Sequence, residues 1–407
     1  VPDFPYARLR RRPDVEAENL QAHDATDVLL VEKALDAGVP GHEIAVIGDE
    51  YGAITLALTD AGLSGVRVHQ DLVTGRRALA LNAEDLGLSG FVSCELEAAL
   101  LEGARLVLLQ LPKSLAELEE IADAVARWAA PDAVLIAGGR VKHMTLAQNE
   151  VLGRSFAEVQ PQRAERKSRL IVASTALPAP ASPPFPVTAQ HDGLTLVAHG
   201  GAFAGPRLDI GTRVLLDVLD RETGARGTRS LSGDSRSSSG ERSDERRTER
   251  AERVELTTCA APAGESVVDL GCGTGALAVS YALAHPEARV IATDRSAAAA
   301  ASARATVLAN RVEDRVSVMH DDAGSEIADG SIDVVLLNPP FHLGTSVHTG
   351  AATRLFEAAA RMLRPGGELW TVYNSSLGYR TELTRIVGAT EQVERTPKFT
   401  VTHSIRR

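Results

Sequence analysis

Cysteine is scarce: Cys94, Cys259 and Cys272 are the three in 407 residues, far apart and with no CxxC pair. That excludes a disulfide framework and a cysteine-built zinc site and fits a reducing cytoplasm; no metal site is expected. No apolar run approaches the roughly 20 residues that a membrane helix needs, so no membrane partner is expected. Arg8, Arg10, Arg11 and Arg12 lie near the start, but no apolar segment follows them and no secretory signal is visible. An excess of positive charge is also missing. Lys and Arg number 43 against 54 Asp and Glu, a net −11, which argues against holding nucleic acid by bulk charge and leaves local basic patches as the alternative.

What is present is the composition of folded domains. Hydrophobic residues are 44% and charged residues 24%, near the globular norms of about 45–50% and about 25%. At roughly 150 residues per domain the length points to two or three domains. Leu177 to Pro186 (LPAPASPPFP) reads as an extended, semi-rigid connector. Arg221 to Arg253 is Ser, Gly, Arg and Glu with almost no apolar residue, too little to offset the entropy of ordering, and is expected to be disordered. Its arginines can touch RNA phosphates, but the interleaved acids favour a solvated linker. The expected organisation is one domain over 1–176, a proline-rich linker over 177–187, and a second domain over 188–407 that carries the 221–253 insert.

Outside these breaks, short apolar β-branched runs alternate with Ala/Leu-rich helical segments, the mark of βαβ units on a parallel sheet. The expected fold class is α/β, and the pattern occurs twice. In the second half, strands are expected at Val267–Leu270, Val290–Ala292, Val316–Met319, Ile332–Leu337 and Glu368–Tyr373, with helices at Ala276–Ala284, Ala297–Asn310 and near Thr353–Leu363. In the first half, Ile44–Ile47 runs into Gly48, Val66–His69 precedes Asp71, Arg76–Leu86 is helical, Leu106–Leu109 precedes Gln110, and Ala133–Ile136 precedes Gly138. The interval from Gly48 to Asp71 equals that from Gly271 to Asp294, and LLQLP at 108–112 matches LLNPP at 336–340. Duplication is the economical reading, although any two doubly wound domains share some of this pattern.

Asp269, Gly271, Gly273 and Gly275 form DLGCGTG between a buried strand and a helix. Such a turn lets a ligand meet the backbone at a helix N-terminus; alone it is equally a tight strand-to-helix turn. The next strand ends at Asp294, an acid suited to two ribose hydroxyls. A nicotinamide dehydrogenase would share all of this.

The distinction lies downstream, in Asn338, Pro339, Pro340 and Phe341 at the carboxyl end of the fourth strand, where open α/β sheets meet their ligands. The Asn338 side-chain carbonyl and the Pro339 backbone carbonyl can both accept from an exocyclic NH₂, while the prolines fix the backbone and add no donor. Phe341 can stack on the ring that carries the amine. With a sulfonium donor over the glycine turn, in-line placement matters more than a strong base, since orientation alone supplies about 7–11 kcal/mol. The reaction read from these residues is methyl transfer to nitrogen. Cys272 reads as small-residue packing rather than a nucleophile, which N-methylation does not need, and His342 as a hydrogen-bond partner more than a base.

The motifs resemble the class I S-adenosylmethionine-dependent methyltransferases with an Asn-Pro-Pro-aromatic signature. AsnProProPheHis at 338–342, AFAGPRLDIGT at 202–212 and the duplicated first half are similar to the RsmC/RlmG rRNA guanine-N2 methyltransferases, over nearly the whole chain except 221–253. The resemblance implies two tandem Rossmann-like domains, the N-terminal one a degenerate copy that recognises RNA and the C-terminal one binding S-adenosyl-L-methionine. It assigns Asp269, Gly271, Gly273 and Gly275 to the methionine and ribose side and Asp294 to the ribose hydroxyls. Asp322 takes the adenine amine, Asn338, Pro339 and Phe341 hold the guanine, and Leu208–Gly211 closes the pocket. Asp321 competes with Asp322, and either is also a plausible helix cap.

The first half reads Gly48-Asp49-Glu50-Tyr51-Gly52 in place of Gly-Cys-Gly-Thr-Gly, so close approach to a cofactor is lost. Basic residues cluster at Arg8–Arg12, at Arg76 and Arg77, at Arg140 and Lys142, and at Arg163, Arg166, Lys167 and Arg169, either as phosphate-binding faces or as ordinary solvated surface. The expected partner is ribosomal RNA or a ribosomal subunit, and the duplicated halves can pair within one chain, which makes a monomer sufficient. Rival readings are the same clamp on an adenine N6 or a glutamine amide, and a non-catalytic RNA-binding protein that keeps the fold.

Overall fold

The computed structural model describes residues 4–17, 19–230, 264–340 and 349–407. The first unit runs α1 (Ala25–Ala37), β1 (Ile44–Ile47), α2 (Ala53–Asp60), β2 (Val66–His69), α3 (Val73–Leu86), β3 (Phe91–Ser93) and α4 (Ala98–Leu101). It continues β4 (Leu106–Gln110), α5 (Leu115–Trp128), β5 (Val134–Arg140), α6 (Leu146–Leu152), β6 (Phe156–Pro161) and β7 (Ser168–Ala176). A hairpin of β8 (Val187–His191) and β9 (Leu194–Ala198) follows the proline-rich stretch. The second unit runs α7 (Ile210–Ser230), β10 (Ser266–Leu270), α8 (Ala276–Ala284), β11 (Arg289–Asp294), α9 (Ala297–Ala309), β12 (Val316–His320) and β13 (Ile332–Leu337). It closes with α10 (Thr349–Met362), β14 (Leu363–Asn374), α11 (Arg380–Ile386), β15 (Gly388–Arg395) and β16 (Phe399–Arg406).

Two sheets have seven strands each, in the orders β3-β2-β1-β4-β5-β7-β6 and β12-β11-β10-β13-β14-β16-β15, so one topology is used twice. The central strands are parallel, and the last two of each unit are antiparallel additions. Successive strand residues point to opposite faces. Val46 and Leu108 accordingly enter one hydrophobic cluster and Ile47 and Leu109 another, while Val267 and Leu336 enter a third and Val268 and Leu337 a fourth. Helices cover both faces, which explains why the central strands read as unbroken apolar runs.

Several elements differ from the expectation. Helix α3 starts at Val73 and α10 at Thr349, and β14 reaches back to Leu363, which pairs with Ile332 across an irregularity in register. The insert expected from Arg221 begins inside α7, which runs to Ser230. Leu215, Val218 and Leu219 bury one side of its start, and Arg221 donates to Glu394 at 2.9 Å. The rest of that expectation, 231–253, lies outside the described residues.

The halves meet through the loops after β2 and β11. Asp71 Oδ1 accepts from Ser296 Oγ at 3.0 Å and from Ala298 N at 2.9 Å, capping α9 from the other half. Val73 N donates to Arg295 O and Ala297 N to Asp71 O, both at 2.9 Å. His320 Nε2 lies 3.1 Å from Asp71 O and 2.9 Å from Arg295 O. Arg77 donates to Asp321 at 2.8 Å, and Glu120 accepts from Gly200 N at 2.7 Å beside His199.

Candidate active site

The carboxyl ends of β10, β11 and β13 open into a cavity of about 390 Å³, within the usual range of about 300–1,000 Å³ for small-molecule sites. It is lined by Asp269, Gly271, Gly273, Asp294, Asp321, Asp322, Asn338, Pro339 and Pro340. Gly275 only borders it, at the N-terminus of α8. The structure therefore brings together the described residues assigned to the cofactor and the amine apart from Gly275, and of the expected closing segment Leu208–Gly211 only Asp209 lines the cavity. Phe341 and His342 lie outside the described residues.

The three glycines serve different ends. Gly271 and Gly273 have φ of +79° and +54°, and a Cβ on either would project into open space, which leaves the backbone bare toward the cavity. A Cβ on Gly275 would meet Ala303 Cβ at 3.1 Å, so that glycine permits close packing of α8 on α9. Gly271 N and Cys272 N both donate to Thr293 O, tying the turn to the end of β11. Cys272 is buried in the core and burial pushes its thiol up, so it stays protonated and packs rather than reacts.

Two acids face the turn. Asp269 is 1% exposed and burial pushes its carboxyl up to about 7, against one opposing hydrogen bond from Ala278 N. Burial likewise raises Asp294, although its two oxygens accept from Ser296 N and Gly273 N, both at 2.9 Å. Each carboxylate oxygen has two lone pairs, so Asp294 keeps acceptor capacity for hydroxyls. Bare glycine backbone, a buried acid at the strand end and a second acid after the next strand fit a cofactor that carries a ribose and positive charge.

The two adjacent aspartates are distinct. Asp321 accepts from Arg77, from Ser325 Oγ at 2.5 Å and from Glu326 N at 3.0 Å. Burial pushes its carboxyl up, but these bonds outweigh it and hold it below the usual range. Asp322 is 5% exposed and forms an ion pair with Arg354 of α10.

At the end of β13, the Asn338 amide Nδ2 donates to Asp209 Oδ2 at 3.2 Å and to Thr212 Oγ1 at 3.0 Å. Its Oδ1 is inaccessible to solvent and has no hydrogen-bond partner among the described residues. Such an acceptor left unpaired costs about 1–3 kcal/mol. Pro339 is buried and Pro340 exposed.

The sequence reading did not place Thr212, Arg207, Arg354, Asp14 or Val15 at this cavity. Thr212 carried a weak signal as the first-turn residue after a helix-starting Asp. Asp14 and Val15 arrive from the far end of the chain, and nothing local announces them.

The first half has lost this arrangement. Val46 stands where the second half has Asp269, and Glu50, its carboxyl pushed up by desolvation, replaces Gly273. Tyr51 donates to Asp14 at 2.9 Å beneath the Arg11 guanidinium, so side chains fill the turn. A cavity of about 480 Å³ lies between the halves, but its Asp71, Glu120 and Asp123 are already bound to α9, to Gly200 and to Arg127. Two of the expected phosphate-binding cations are likewise engaged internally, Arg76 with Glu95 and Arg77 with Asp321.

Comparison with known proteins agrees with this division. Residues 3–177 match the RLMG N-terminal domain and residues 245–403 the methyltransferase small domain. A ribosomal RNA large subunit methyltransferase G of Pseudomonas paraeruginosa is 35% identical over 98% of this chain and 97% of its own length. Its Streptomyces avermitilis counterpart is 31% identical over 98% and 97%. The T. thermophilus 16S rRNA N2 G1207 methyltransferase RsmC, solved with AdoMet and guanosine, superposes with a TM-score of 0.70 over 95% of this chain and 92% of that one, at 23% identity. Full-length identity above 30%, with each half matching its own domain family, makes this chain a member of the ribosomal RNA large subunit methyltransferase G family.

Proposed function

We infer that the chain transfers a methyl group from S-adenosyl-L-methionine to the exocyclic N2 of a guanine in ribosomal RNA. The observation that carries this reading is the buried, unpartnered Oδ1 of Asn338, an acceptor waiting for an N–H beside a cofactor cavity. The cofactor supplies an electrophilic methyl on a sulfonium. Gly271 and Gly273 offer it bare backbone, Asp269 opposes its positive charge, Asp294 accepts from its ribose and Asp322 from its adenine amine, for which Arg354 gives way. Asn338 Oδ1 and the Pro339 carbonyl accept from the target amine and so aim the nitrogen. As the N–CH₃ bond forms and the S–CH₃ bond breaks to leave a neutral thioether, positive charge develops on that nitrogen, both acceptors bind it more strongly, and its surplus proton then passes to solvent; the strengthened bonds favour the transition state over the ground state. Phe341 stacks on the base, and Pro340 stiffens the chain between them.

The first half, 1–176, orients RNA, 177–187 links it, and 188–407 does the chemistry. Support for the first role lies in a basic patch at one end of the first sheet. The β5–β7 pairing sets Arg140 opposite Ser168, and Val141 N donates to Lys167 O. That arrangement gathers Arg140, Lys142, Arg163, Arg166 and Lys167 at one end of the sheet. Lys142, Arg163 and Lys167 are exposed and form no ion pair among the described residues, so they are available to phosphates. The target base must leave its stack to reach the cavity. The pairing of both halves in one chain supports a monomer, and a ribosomal substrate places its work in the cytoplasm.

The test is transfer of tritium from labelled S-adenosyl-L-methionine to separated ribosomal subunits and to free rRNA, followed by digestion to nucleosides. Label in N2-methylguanosine is expected. Label in N6-methyladenosine or in protein glutamine would overturn the guanine assignment, since the amide clamp accepts any planar NH₂.

A further inference from the structure

An asparagine amide is nearly symmetric in shape and opposite in chemistry at its two ends. An amine substrate donates, so only the rotamer with Oδ1 facing inward accepts from it; the flipped amide would set donor against donor. Something must fix the flip. Asp209 Oδ2 accepts from Asn338 Nδ2 at 3.2 Å and also from Gly211 N at 3.0 Å and Thr212 N at 3.3 Å. A carboxylate only accepts, so an amide oxygen turned toward it would be repelled. Thr212 Oγ1, 3.0 Å from the same Nδ2, adds a second acceptor on that side. Both amide hydrogens are thereby engaged by Asp209 and Thr212 at the cavity wall, and Oδ1 is left buried and unpaired.

We propose that Asp209 is a positioning residue for methyl transfer: by holding Nδ2 of Asn338 it fixes the amide with its oxygen toward the target amine. The proposal rests on the amine-clamp reading of Asn338 and holds for any planar NH₂. A carboxylate behind the amide also polarises it and makes Oδ1 a stronger acceptor. The same oxygen caps α7, so a role limited to capping must be separated from positioning.

Three variants separate them, with melting temperature, S-adenosyl-L-methionine affinity and single-turnover methylation of the RNA that wild type methylates as readouts. D209S keeps a good helix cap but is too short to reach Asn338. D209N offers an amide oxygen where Oδ2 sits and keeps every bond, losing only the charge. D209A loses cap and positioning together. The expected rates are about 100-fold down for D209A and D209S, the scale of a misplaced reacting group, and within about tenfold of wild type for D209N. Cofactor affinity should be unchanged throughout, and D209S should melt near wild type. Guanosine is also expected to lose its binding advantage over inosine, which lacks the amine, in D209S but not in D209N. A D209S enzyme as fast as wild type would reduce Asp209 to a cap, and a D209N enzyme as slow as D209S would replace positioning by charge; either overturns the proposal. A wild-type enzyme that labels a different amine defeats the guanine reading and leaves the ranking of the three variants on that amine as the test of Asp209.

Discussion

The two halves share strand order, register and the position of every central element, yet only one has a usable site. At the end of its first strand the second half has Asp269, Gly271 and Gly273, where the first has Val46, Gly48 and Glu50. Gly48 and Gly271 keep nearly the same φ, +82° and +79°. The backbone of the turn thus survives without its function, because apolar burial on both sheet faces maintains it. What decides the chemistry is a handful of side chains at strand ends. The amide makes the same point. Gln110 closes β4 as Asn338 follows β13, and its Nε2 donates to Asp27 of α1 much as Asn338 donates to Asp209 before α7. The acid–amide pair therefore belongs to the scaffold, and the second half has turned it toward a ligand.

Making the second half resemble the first should have the largest effect. Gly273→Glu places a charged side chain in the cofactor cavity at a φ that disfavours it, and loss of S-adenosyl-L-methionine binding by more than about 100-fold is expected in calorimetry. A G273E protein that still binds the cofactor normally would break the assignment of that turn. Next is Asn338→Ala, expected to slow transfer by about 100- to 1,000-fold with cofactor affinity intact. Its counterpart Gln110→Ala should leave the rate unchanged, and equal losses in both would erase the difference between the halves.

The aspartates after the second strands sharpen the comparison further. Asp294→Ala removes an acceptor for the ribose and should weaken cofactor binding by about 10- to 100-fold. Asp71→Ala removes a cap on α9 and should lower stability by about 1–2 kcal/mol in denaturant melts, with a smaller loss of affinity than Asp294→Ala. The last test concerns pH. Asp269 titrates near 7 when folded, well above its unfolded value, so ionisation favours the unfolded chain. Stability of the cofactor-free protein should therefore fall as pH rises from about 4 to about 7 and then level off. A cationic cofactor favours the ionised acid, so its affinity should drop about tenfold for each pH unit below about 7. Flat affinity across that range in wild type would remove Asp269 from the cofactor's neighbourhood.

Strands, glycine turn and Asn-Pro-Pro signature were legible in the sequence because each rests on local physics: unbroken apolar runs for doubly covered strands, glycine for positive φ, proline after a strand end. The duplication was legible through the repeated strand-and-turn pattern, although the equal interval is one residue out of structural register: Val46 pairs with Val68 and Asp269 with Ala292, so Gln70 rather than Asp71 stands where the second half has Asp294. Side-chain partnerships were not. Arg77 looks like surface charge beside Arg76, and its partner Asp321 lies 244 residues away. The choice between Asp321 and Asp322 was open for the same reason, and the contact across the halves that engages Asp321 is what bears on it. The C-terminal hairpin of β15 and β16 mixes Thr, Glu and Arg with its apolar positions and went unread, and β16 buries Thr400, Thr402 and Ser404 along with Phe399 and Val401. The free oxygen of Asn338 exists only once Asp209 and Thr212 are folded against it.

The cap that Asp71 places on α9 reaches further than the seam it closes. Helix α9 carries Ala303, against which Gly275 packs, and follows the loop that holds Asp294. The first half is thus a foundation for the glycine turn of the second. A chimaera that joins the first half of one relative to the second half of another will inherit activity only where the residues facing Asp71 and Arg77 match, which turns an interface of few contacts into a barrier to recombination within the family.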